Sequence, residues 1–360
     1  MKLFLCGDVM TGRGIDQILP EPCDPAIDEP WAKSALDYVA LAEQASGPIP
    51  RPADPACTYT YIWGDALAEL EQARPDARIV NLETAVTDCD DRAAKGINYR
   101  MSPGNAACLR AAAIDCCVLA NNHVLDWGRK GLEETLDTLH GMGMRTAGAG
   151  RDADEASEPA RLARNLLVFA FALESAGVPA DWAAGERAPG VSWLPDLSSQ
   201  TSDAVAERII ATKRPGDLAV VSIHWGANWG YHVSHRQRSF AHRLIDGGAA
   251  DLVHGHSAHH PGRIEIYRER LILYACGDFL NDYEGIAGHE SFRPELVLMY
   301  FAALDDASGR LRELVLSPMR IRRFRLQRAN QDEAAWLAAR IGGESGIPLE
   351  AAAGGRLRLR

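Results

Sequence analysis

Histidine, asparagine and aspartate residues occur in short clusters that could together bind metal ions. His224-Trp225-Gly226 precedes, by about thirty residues, a histidine-rich run at 254–260, and Asn121-Asn122-His123 and Asp8 lie upstream. Neutral imidazoles, carboxylates and amide oxygens are donors that bind divalent metals. Any one histidine is more often a core or surface residue than a ligand, but the clustering favours a metal site.

Each cluster follows a short apolar segment that predicts a buried β-strand. The predicted strands span residues 2–6, 77–80, 116–120, 218–223 and 252–253. Ligands of α/β proteins collect at the carboxyl ends of the strands, where the connecting loops converge. The sequence therefore predicts an α/β fold with a polar site at that edge.

Apolar residues at three- and four-residue spacing predict helices between the strands. The predicted helices span 63–71, 131–142, 237–245 and 332–341. Segment 20–55 is rich in proline and acidic residues, and segment 176–202 is rich in glycine, proline and serine. We expect both to be lid-like insertions over the strand ends, with plain insertions as the alternative.

Composition excludes several classes of partner. The 360 residues carry 38 basic and 49 acidic side chains, a net charge of −11, which leaves no basic face for nucleic acid. The first apolar run is too short for a signal peptide, and no segment reaches the roughly 20 apolar residues of a membrane helix. The eight cysteines form no CxxC pair and are expected to be reduced core residues. We expect a cytoplasmic protein without membrane insertion, and the oligomeric state stays open.

Taken in order, the motifs resemble those of a known family. They are Gly7-Asp8-Val9-Met10 with Gly12-Arg13-Gly14, Asn81-Leu82-Glu83, Leu119-Ala120-Asn121-Asn122-His123 with Asp126 and Gly128, His224-Trp225-Gly226, Gly255-His256, and the closing run 273–279. This order is similar to the calcineurin-like metallophosphoesterases and, more closely, to the CapA family of poly-γ-glutamate capsule-synthesis proteins. The resemblance covers residues 2 to about 282.

The resemblance implies a four-layer α/β/β/α metallophosphatase-like sandwich, in which two mixed sheets pack face to face with helices outside. We expect one such domain over residues 1–318, including both insertions. Residues 319–360 would form a C-terminal strand and helix extension whose Gly-, Ala- and Arg-rich end is frayed.

A metal-dependent hydrolytic site is also implied. The expected ligands of one or two divalent ions (Mn, Zn or Fe) are Asp8, Glu83, Asn122, His224, His256 and His259. Glu83 would bridge the ions, metal-activated water would be the nucleophile, and His123 would protonate the leaving group as general acid. Asp126 would orient His123, although a cap on the following helix explains Asp126 equally well.

Other residues are expected to bind substrate. Arg13 is a candidate anion clamp for phosphate or carboxylate, with a structural salt bridge as the alternative. The expected aromatic walls of the pocket are Trp225, Trp229 and Tyr231, which core packing would also explain. His254 and His260 would be ligands only in a different loop register.

The chain departs from the phosphoesterase pattern at several positions. Met10 stands where a histidine is usual, Glu83 stands in place of an aspartate, and two residues rather than one separate His256 from His259. Asp278 could replace the missing ligand.

Two functions of different classes follow. The first is a soluble metal-dependent hydrolase of a small anionic phosphoester or a γ-glutamyl or amide-type compound. The alternative is a non-catalytic accessory protein of poly-γ-glutamate capsule biosynthesis or export that binds polymer in the same groove. Typical capsule members carry a membrane anchor, which this sequence is expected to lack.

Overall fold

A computed structural model describes residues 1–359 of the chain. The strands are β1 (Lys2–Val9), β2 (Ala77–Leu82), β3 (Ala85–Val86), β4 (Arg100–Met101), β5 (Cys116–Val118), β6 (Arg145–Ala147), β7 (Ala149–Gly150), β8 (Ala160–Leu162), β9 (Leu166–Leu173), β10 (Gly190–Val191), β11 (Trp193–Leu194), β12 (Leu218–His224), β13 (Leu252–His256), β14 (Ile264–Tyr267), β15 (Arg270–Leu273), β16 (Asp278–Leu280), β17 (Leu296–Leu304), β18 (Leu311–Ile321), β19 (Leu326–Arg328), β20 (Leu349–Ala351) and β21 (Leu357–Leu359). The helices are α1 (Leu36–Ser46), α2 (Pro55–Tyr61), α3 (Ala66–Ala73), α4 (Ala107–Ala111), α5 (Gly128–Gly141), α6 (Ala153–Ser157), α7 (Ser199–Thr212), α8 (His235–Asp246) and α9 (Gln331–Ser345).

Most strands belong to two mixed sheets. The first sheet has the order β20-β21-β18-β17-β1-β2-β5-β6, with β16 beside β1 and β19 beside β18. The second has the order β11-β9-β12-β13-β15-β14, with β8 beside β9. Parallel pairing joins β1, β2, β5 and β6 in the first sheet and β9, β12, β13 and β15 in the second. The parallel parts of both sheets thus present carboxyl ends at which polar residues can gather.

The two faces of the second sheet contribute to different cores. Along β9, Val168 and Ala170 join the core shared with the first sheet. Phe169 and Phe171, which alternate with them, pack in a second core with Phe240 of α8 and other residues of α7 and α8. This period of two is what a strand buried on both faces requires. The protein is an α/β sandwich of two central sheets with outer helices, so the predicted fold class is confirmed.

Capping residues fix where the helices begin, and apolar faces pack them against the rest of the protein. Ser234 and Gln237 form a reciprocal capping box at the start of α8, and Asn330 and Glu333 do the same for α9. In α5 three residues of the predicted apolar face, Leu132, Leu136 and Leu139, are buried. The fourth, Met142, follows the helix and is partly buried. These contacts tie the helices to the sheets.

Parts of the sequence prediction are corrected. The central strand β9 was not predicted, and segment 20–55 contains α1 as well as irregular chain. The boundary predicted at residue 318 falls inside β18. The tail predicted to be frayed instead forms β21, which pairs with β18 and buries Leu357.

The structure bears on the expected state of the cysteines and on the expected absence of a membrane helix. All eight cysteines are free among the described residues, and those at 6, 89, 108, 116, 117 and 276 are buried. Within residues 1–359, no helix combines the length and apolarity needed to span a membrane.

Candidate metal centre

Strand alternation places two histidines between the sheets. In β12, Leu218 and Val220 belong to the core between the sheets, and the period of two puts Ser222 and His224 on the same face. The neighbouring strand β13 is in register, so that Ser222 lies opposite His254 and His224 opposite His256. The strands are longer than predicted, and both histidines lie on strand ends rather than in loops.

The two imidazoles face each other. His224 Nδ1 lies 2.7 Å from His256 Nδ1, and His224 Nε2 lies 3.0 Å from Asn122 Oδ1. Burial lowers the pKa of both rings well below the ordinary value, so each is neutral and has a lone pair available to a metal. One donor atom each of Asp8, His224 and His256 lies within 4.8 Å of the others.

Asp8 is held by groups from three neighbouring elements. Its register partners are Asn81 in β2 and Asp278 in β16. Asn81 Nδ2 donates to Asp8 Oδ1 at 2.7 Å and to Glu83 Oε2 at 3.3 Å, and Ser257 N donates to Asp8 Oδ2 at 3.2 Å. Ser257 has a φ of 105°, a conformation that is rare for a residue with a side chain and concentrates at functional sites.

Three buried carboxylates converge at this point. Burial, and then the charge of Asp278, raises the pKa of Asp8 to about 7. Burial and the charges of Asp8 and Asp278 raise the pKa of Glu83 well above its ordinary value. Carboxylates crowded in this way favour either a proton or a cation among them. With His224, His256 and Asn122 beside them, the donor set fits a divalent transition-metal ion.

His259 lies at the other side of Asp278. Its Nδ1 is 3.0 Å from Asp278 Oδ1, and its Nε2 is 3.2 Å from Asn228 Nδ2. Burial alone would lower the pKa of His259, but the adjacent Asp278 carboxylate reverses the direction and raises it. Asn281 donates to the other Asp278 oxygen at 2.7 Å. Asp278 thus links His259 and Asn281 to Asp8, its register partner in β1.

His123 is oriented by Asp126. His123 Nδ1 lies 2.6 Å from Asp126 Oδ2, while its Nε2 faces Glu83 Oε1 at 3.8 Å. Asp126 also accepts from Tyr99 N at 2.6 Å and from Lys95 Nζ at 2.7 Å. The N-cap residue of α5 is Trp127, and no side chain caps the helix, so the helix-cap explanation of Asp126 is wrong. Burial lowers the pKa of His123 to about 4, although Asp126 opposes that shift.

Lys95 is a site residue that the sequence did not reveal. Besides Asp126, its ammonium donates to the backbone carbonyl of Asn122 and lies 5.3 Å from the ring centre of Trp182. The side chain is 27% exposed and belongs to an irregular loop. Because such a loop has no periodic pattern, no signal in the sequence pointed to Lys95.

Arg13 has a structural role, which corrects the anion-clamp prediction. Its guanidinium donates to Asp282 from Nε at 2.9 Å and to Glu29 from Nη1 at 2.9 Å, and it lies 3.6 Å from the ring centre of Tyr38. All of these donors are buried with their partners. Two carboxylates already neutralise Arg13, so the salt-bridge alternative applies.

The predicted aromatic wall is divided. Trp225 points away from His224, packs against Phe240 and donates from Nε1 to the Tyr274 carbonyl at 2.9 Å. Trp229 is closer to the centre, since its ring lies 5.2 Å from that of His259. The three aromatic residues, Trp225, Trp229 and Tyr231, border a cavity of about 210 Å³ that Gln237 of α8 also lines. Trp225 is therefore a core residue rather than a wall of the metal site.

The two histidines that would be ligands only in a different loop register, His254 and His260, have other partners. His254 contacts Ser222 and the Cys6 carbonyl. His260 accepts from Gly230 N at 3.1 Å and lies against Tyr231. The predicted site residues that the structure brings together are Asp8, Glu83, Asn122, His123, His224 and His256. Asp278 lies beside Asp8, and His259 lies on the far side of Asp278.

Comparison with known proteins gives a consistent result. The family model described as "Bacterial capsule synthesis protein PGA_cap" matches residues 2–283. A "Probable polyglutamine synthesis accessory protein" of Mycobacterium tuberculosis is 48% identical over 343 residues, covering 94% of this chain and 89% of the relative. The "PGA biosynthesis protein CapA" of Bacillus subtilis is 26% identical over 279 residues, covering 77% of this chain and 62% of the relative. The "Capsule biosynthesis protein CapA" of Bacillus anthracis is 28% identical over 193 residues, or 53% of this chain and 46% of the relative.

The match to the family model spans well over half of the chain, and the mycobacterial relative matches nearly its whole length. The motifs that suggested the resemblance lie inside the matched region. The chain therefore belongs to the bacterial capsule synthesis protein family, and its predicted kinship with CapA proteins is confirmed.

Proposed function

We propose that this protein is a metal-dependent hydrolase of a small anionic phosphoester or of a γ-glutamyl or amide-type compound. The observation that carries the proposal is the meeting of three buried carboxylates, Asp8, Glu83 and Asp278, with the neutral imidazoles of His224 and His256. Buried carboxylates without counter-charges are costly, and divalent cations would neutralise them. A purely structural core therefore explains this cluster poorly.

When bound there, divalent ions would supply Lewis acidity, which activates water and stabilises charge on a reacting oxygen. The residues that would hold them are Asp8, Glu83, Asn122, His224 and His256, with Asp278 and His259 at the edge. His123 contributes the proton-transfer group, because Asp126 fixes its Nδ1 side at 2.6 Å and leaves Nε2 turned toward the carboxylates. Such a group typically accelerates a reaction by about 10²–10⁴-fold.

Charge limits the substrate. The centre is strongly acidic, and Arg13 is neutralised by Glu29 and Asp282. Metal ions are then the groups that would attract an anion, because the Lys95 ammonium is itself paired with Asp126 at 2.7 Å. A compact phosphate or carboxylate group near the ions satisfies this requirement. The names of the relatives, which refer to capsule biosynthesis, PGA biosynthesis and polyglutamine synthesis, support a γ-glutamyl compound within that class.

A second candidate function is a non-catalytic accessory role. The mycobacterial relative is named as an accessory protein of polymer synthesis, and it matches nearly the whole chain. In that case the same centre would bind polymer carboxylates through its ions, and His123 would have no part in function.

The two functions are separated by assaying hydrolysis with Mn²⁺, Zn²⁺ or Fe²⁺ against phosphomonoesters, phosphodiesters and γ-glutamyl amides. The metal-loaded protein is expected to hydrolyse at least one of these substrates. The rate of hydrolysis is expected to fall at least about 100-fold in His123→Ala. His235→Ala, at the start of α8 and outside the cluster, is the matched control. Absence of turnover with every metal, together with retained metal binding, would favour the accessory role.

A further inference from the structure

A continuous line of buried polar groups runs from β1 across β13 and β12 to the metal centre. His254 Nε2 lies 2.8 Å from the Cys6 carbonyl oxygen, and His254 Nδ1 lies 3.0 Å from Ser222 Oγ. The same hydroxyl lies 2.8 Å from His256 Nε2. Ser222, His254 and His256 are fully buried, so these contacts decide where their hydrogens are.

The polarity of the line is set at its first member. A carbonyl oxygen can only accept, so His254 carries its hydrogen on Nε2. The neutral ring then offers Nδ1 as an acceptor, and the Ser222 hydroxyl donates to it. Having used its one hydrogen, Ser222 accepts at its oxygen from His256 Nε2–H. His256 is left with an unprotonated Nδ1.

The opposite polarity is unfavourable. It would need hydrogens on both nitrogens of His254, which would make that ring a cation. His254 has zero exposure and lies against a carbonyl and a hydroxyl, which are neutral partners. A charged group buried without a counter-charge is costly, so the ring stays neutral.

We propose that Ser222 and His254 are positioning residues that hold His256 as the Nε2–H tautomer and so reserve its Nδ1 for a metal ion. The inference rests on the proposed metal centre. It is supported by the direction of His256 Nδ1, which faces His224 Nδ1 at 2.7 Å and Asp8 Oδ1 at 3.8 Å. Groups that fix the tautomer of a ligand histidine typically change metal affinity by about 10–100-fold.

The direct test is neutron diffraction from crystals of the metal-free protein, which locates hydrogen on each ring nitrogen. Hydrogen is expected on Nε2 of both His254 and His256, with Nδ1 of both rings bare. Hydrogen on His256 Nδ1 would overturn the inference. The hydrogen positions are measured without bound metal, so this test is independent of whether the proposed function is correct.

The second test is calorimetric titration with Mn²⁺. Ser222→Ala is expected to weaken binding by about 10–100-fold, while Ser222→Thr, which keeps the hydroxyl, recovers most of the affinity. Ser317→Ala is the matched control, because Ser317 is also a buried strand serine but donates to Glu69, away from the centre. Unchanged affinity in folded Ser222→Ala would contradict the inference. Should that variant not fold, the hydrogen positions in the unaltered protein decide. A wild-type protein that binds no Mn²⁺ would contradict the proposed metal centre instead.

Discussion

Asp8 and Asp278 are paired residues on two adjacent parallel strands, so the fold itself brings two buried carboxylates together. Asp8 N donates to the Gly277 carbonyl at 2.9 Å, which fixes the approach of the two strands. A protein that only needed a stable core would gain nothing from this arrangement. Removing the charge of Asp8 should therefore raise the stability of the metal-free protein and lower its affinity for metal.

The first prediction concerns Asp8→Asn in the presence of a chelator. Because the pKa of Asp8 is raised to about 7 in the folded state, against about 3.9 in an unfolded chain, the unfolded state binds fewer protons between these values. The contribution of protonated Asp8 to folding stability is present at low pH and is lost as pH rises through about 7. At pH 8, Asp8→Asn should raise the free energy of unfolding by on the order of 2 kcal/mol.

Urea denaturation at pH 5 and pH 8 measures this effect, and the gain should shrink at the lower pH. The matched control is Asp282→Asn, which removes a buried carboxylate that Arg13 does neutralise. That variant should be destabilised by roughly 1.5–3 kcal/mol, because it weakens the charged hydrogen bonds of Arg13 and leaves Glu29 as its one carboxylate partner. Equal losses in both variants would contradict the description of Asp8.

Gly7→Ala should disrupt the approach of β1 to the turn before β16. A Cβ at residue 7 would lie 1.6 Å from the Gly277 carbonyl oxygen, so the backbone would have to move and displace Asp8. We expect both lower thermal stability and weaker Mn²⁺ binding. Gly96→Ala is the control, since a Cβ there has no atom within 4 Å among the described residues. Normal metal affinity in Gly7→Ala would show that the strand approach does not position Asp8.

Arg13→Met should unfold more easily without changing how the protein responds to phosphate. The variant leaves Glu29 and Asp282 without their buried partner, at a cost of about 3–5 kcal/mol. Denaturation with and without phosphate measures both effects. If the variant is as stable as the wild type and instead has a raised KM, the anion-clamp prediction would be restored.

Lys95→Met should lower kcat more than it lowers metal affinity. Lys95 holds Asp126 and the Asn122 carbonyl, and Asp126 in turn holds His123. We expect the loss to be about tenfold for substrates with poor leaving groups and smaller for nitrophenyl esters, which need little protonation. Lys130→Met, on the exposed surface of α5, should behave as the wild type. Uniform losses across leaving groups would argue against a link between Lys95 and the general acid.

Sequence motifs predicted the site better where strands position it than where loops do. Asp8, His224 and His256 lie at the carboxyl ends of apolar strands, and a parallel sheet brings such ends to one edge. The sequence could not show that His224 and His256 would be opposite each other, because register depends on which strands pair. The partners of Arg13 are likewise distant in sequence, at Glu29 and Asp282.

Residues without a local pattern were missed for physical reasons. Lys95 lies in an irregular loop, and only the folded chain brings it to Asp126. Trp225 was expected to wall the pocket, with core packing as the alternative. Strand alternation instead turns adjacent side chains to opposite faces of a sheet, and it places Trp225 in the core against α8.

The central claim is that Asp8, His224 and His256 bind a metal ion together. Anomalous diffraction from crystals grown with Mn²⁺ tests it most directly, by comparing data collected on either side of the manganese absorption edge. We predict an anomalous peak within bonding distance, roughly 2.0–2.3 Å, of Asp8 and His256 Nδ1, with His224 in contact with the same ion. A map that shows manganese elsewhere, or His224 and His256 still in direct contact with no peak beside them, would contradict the claim.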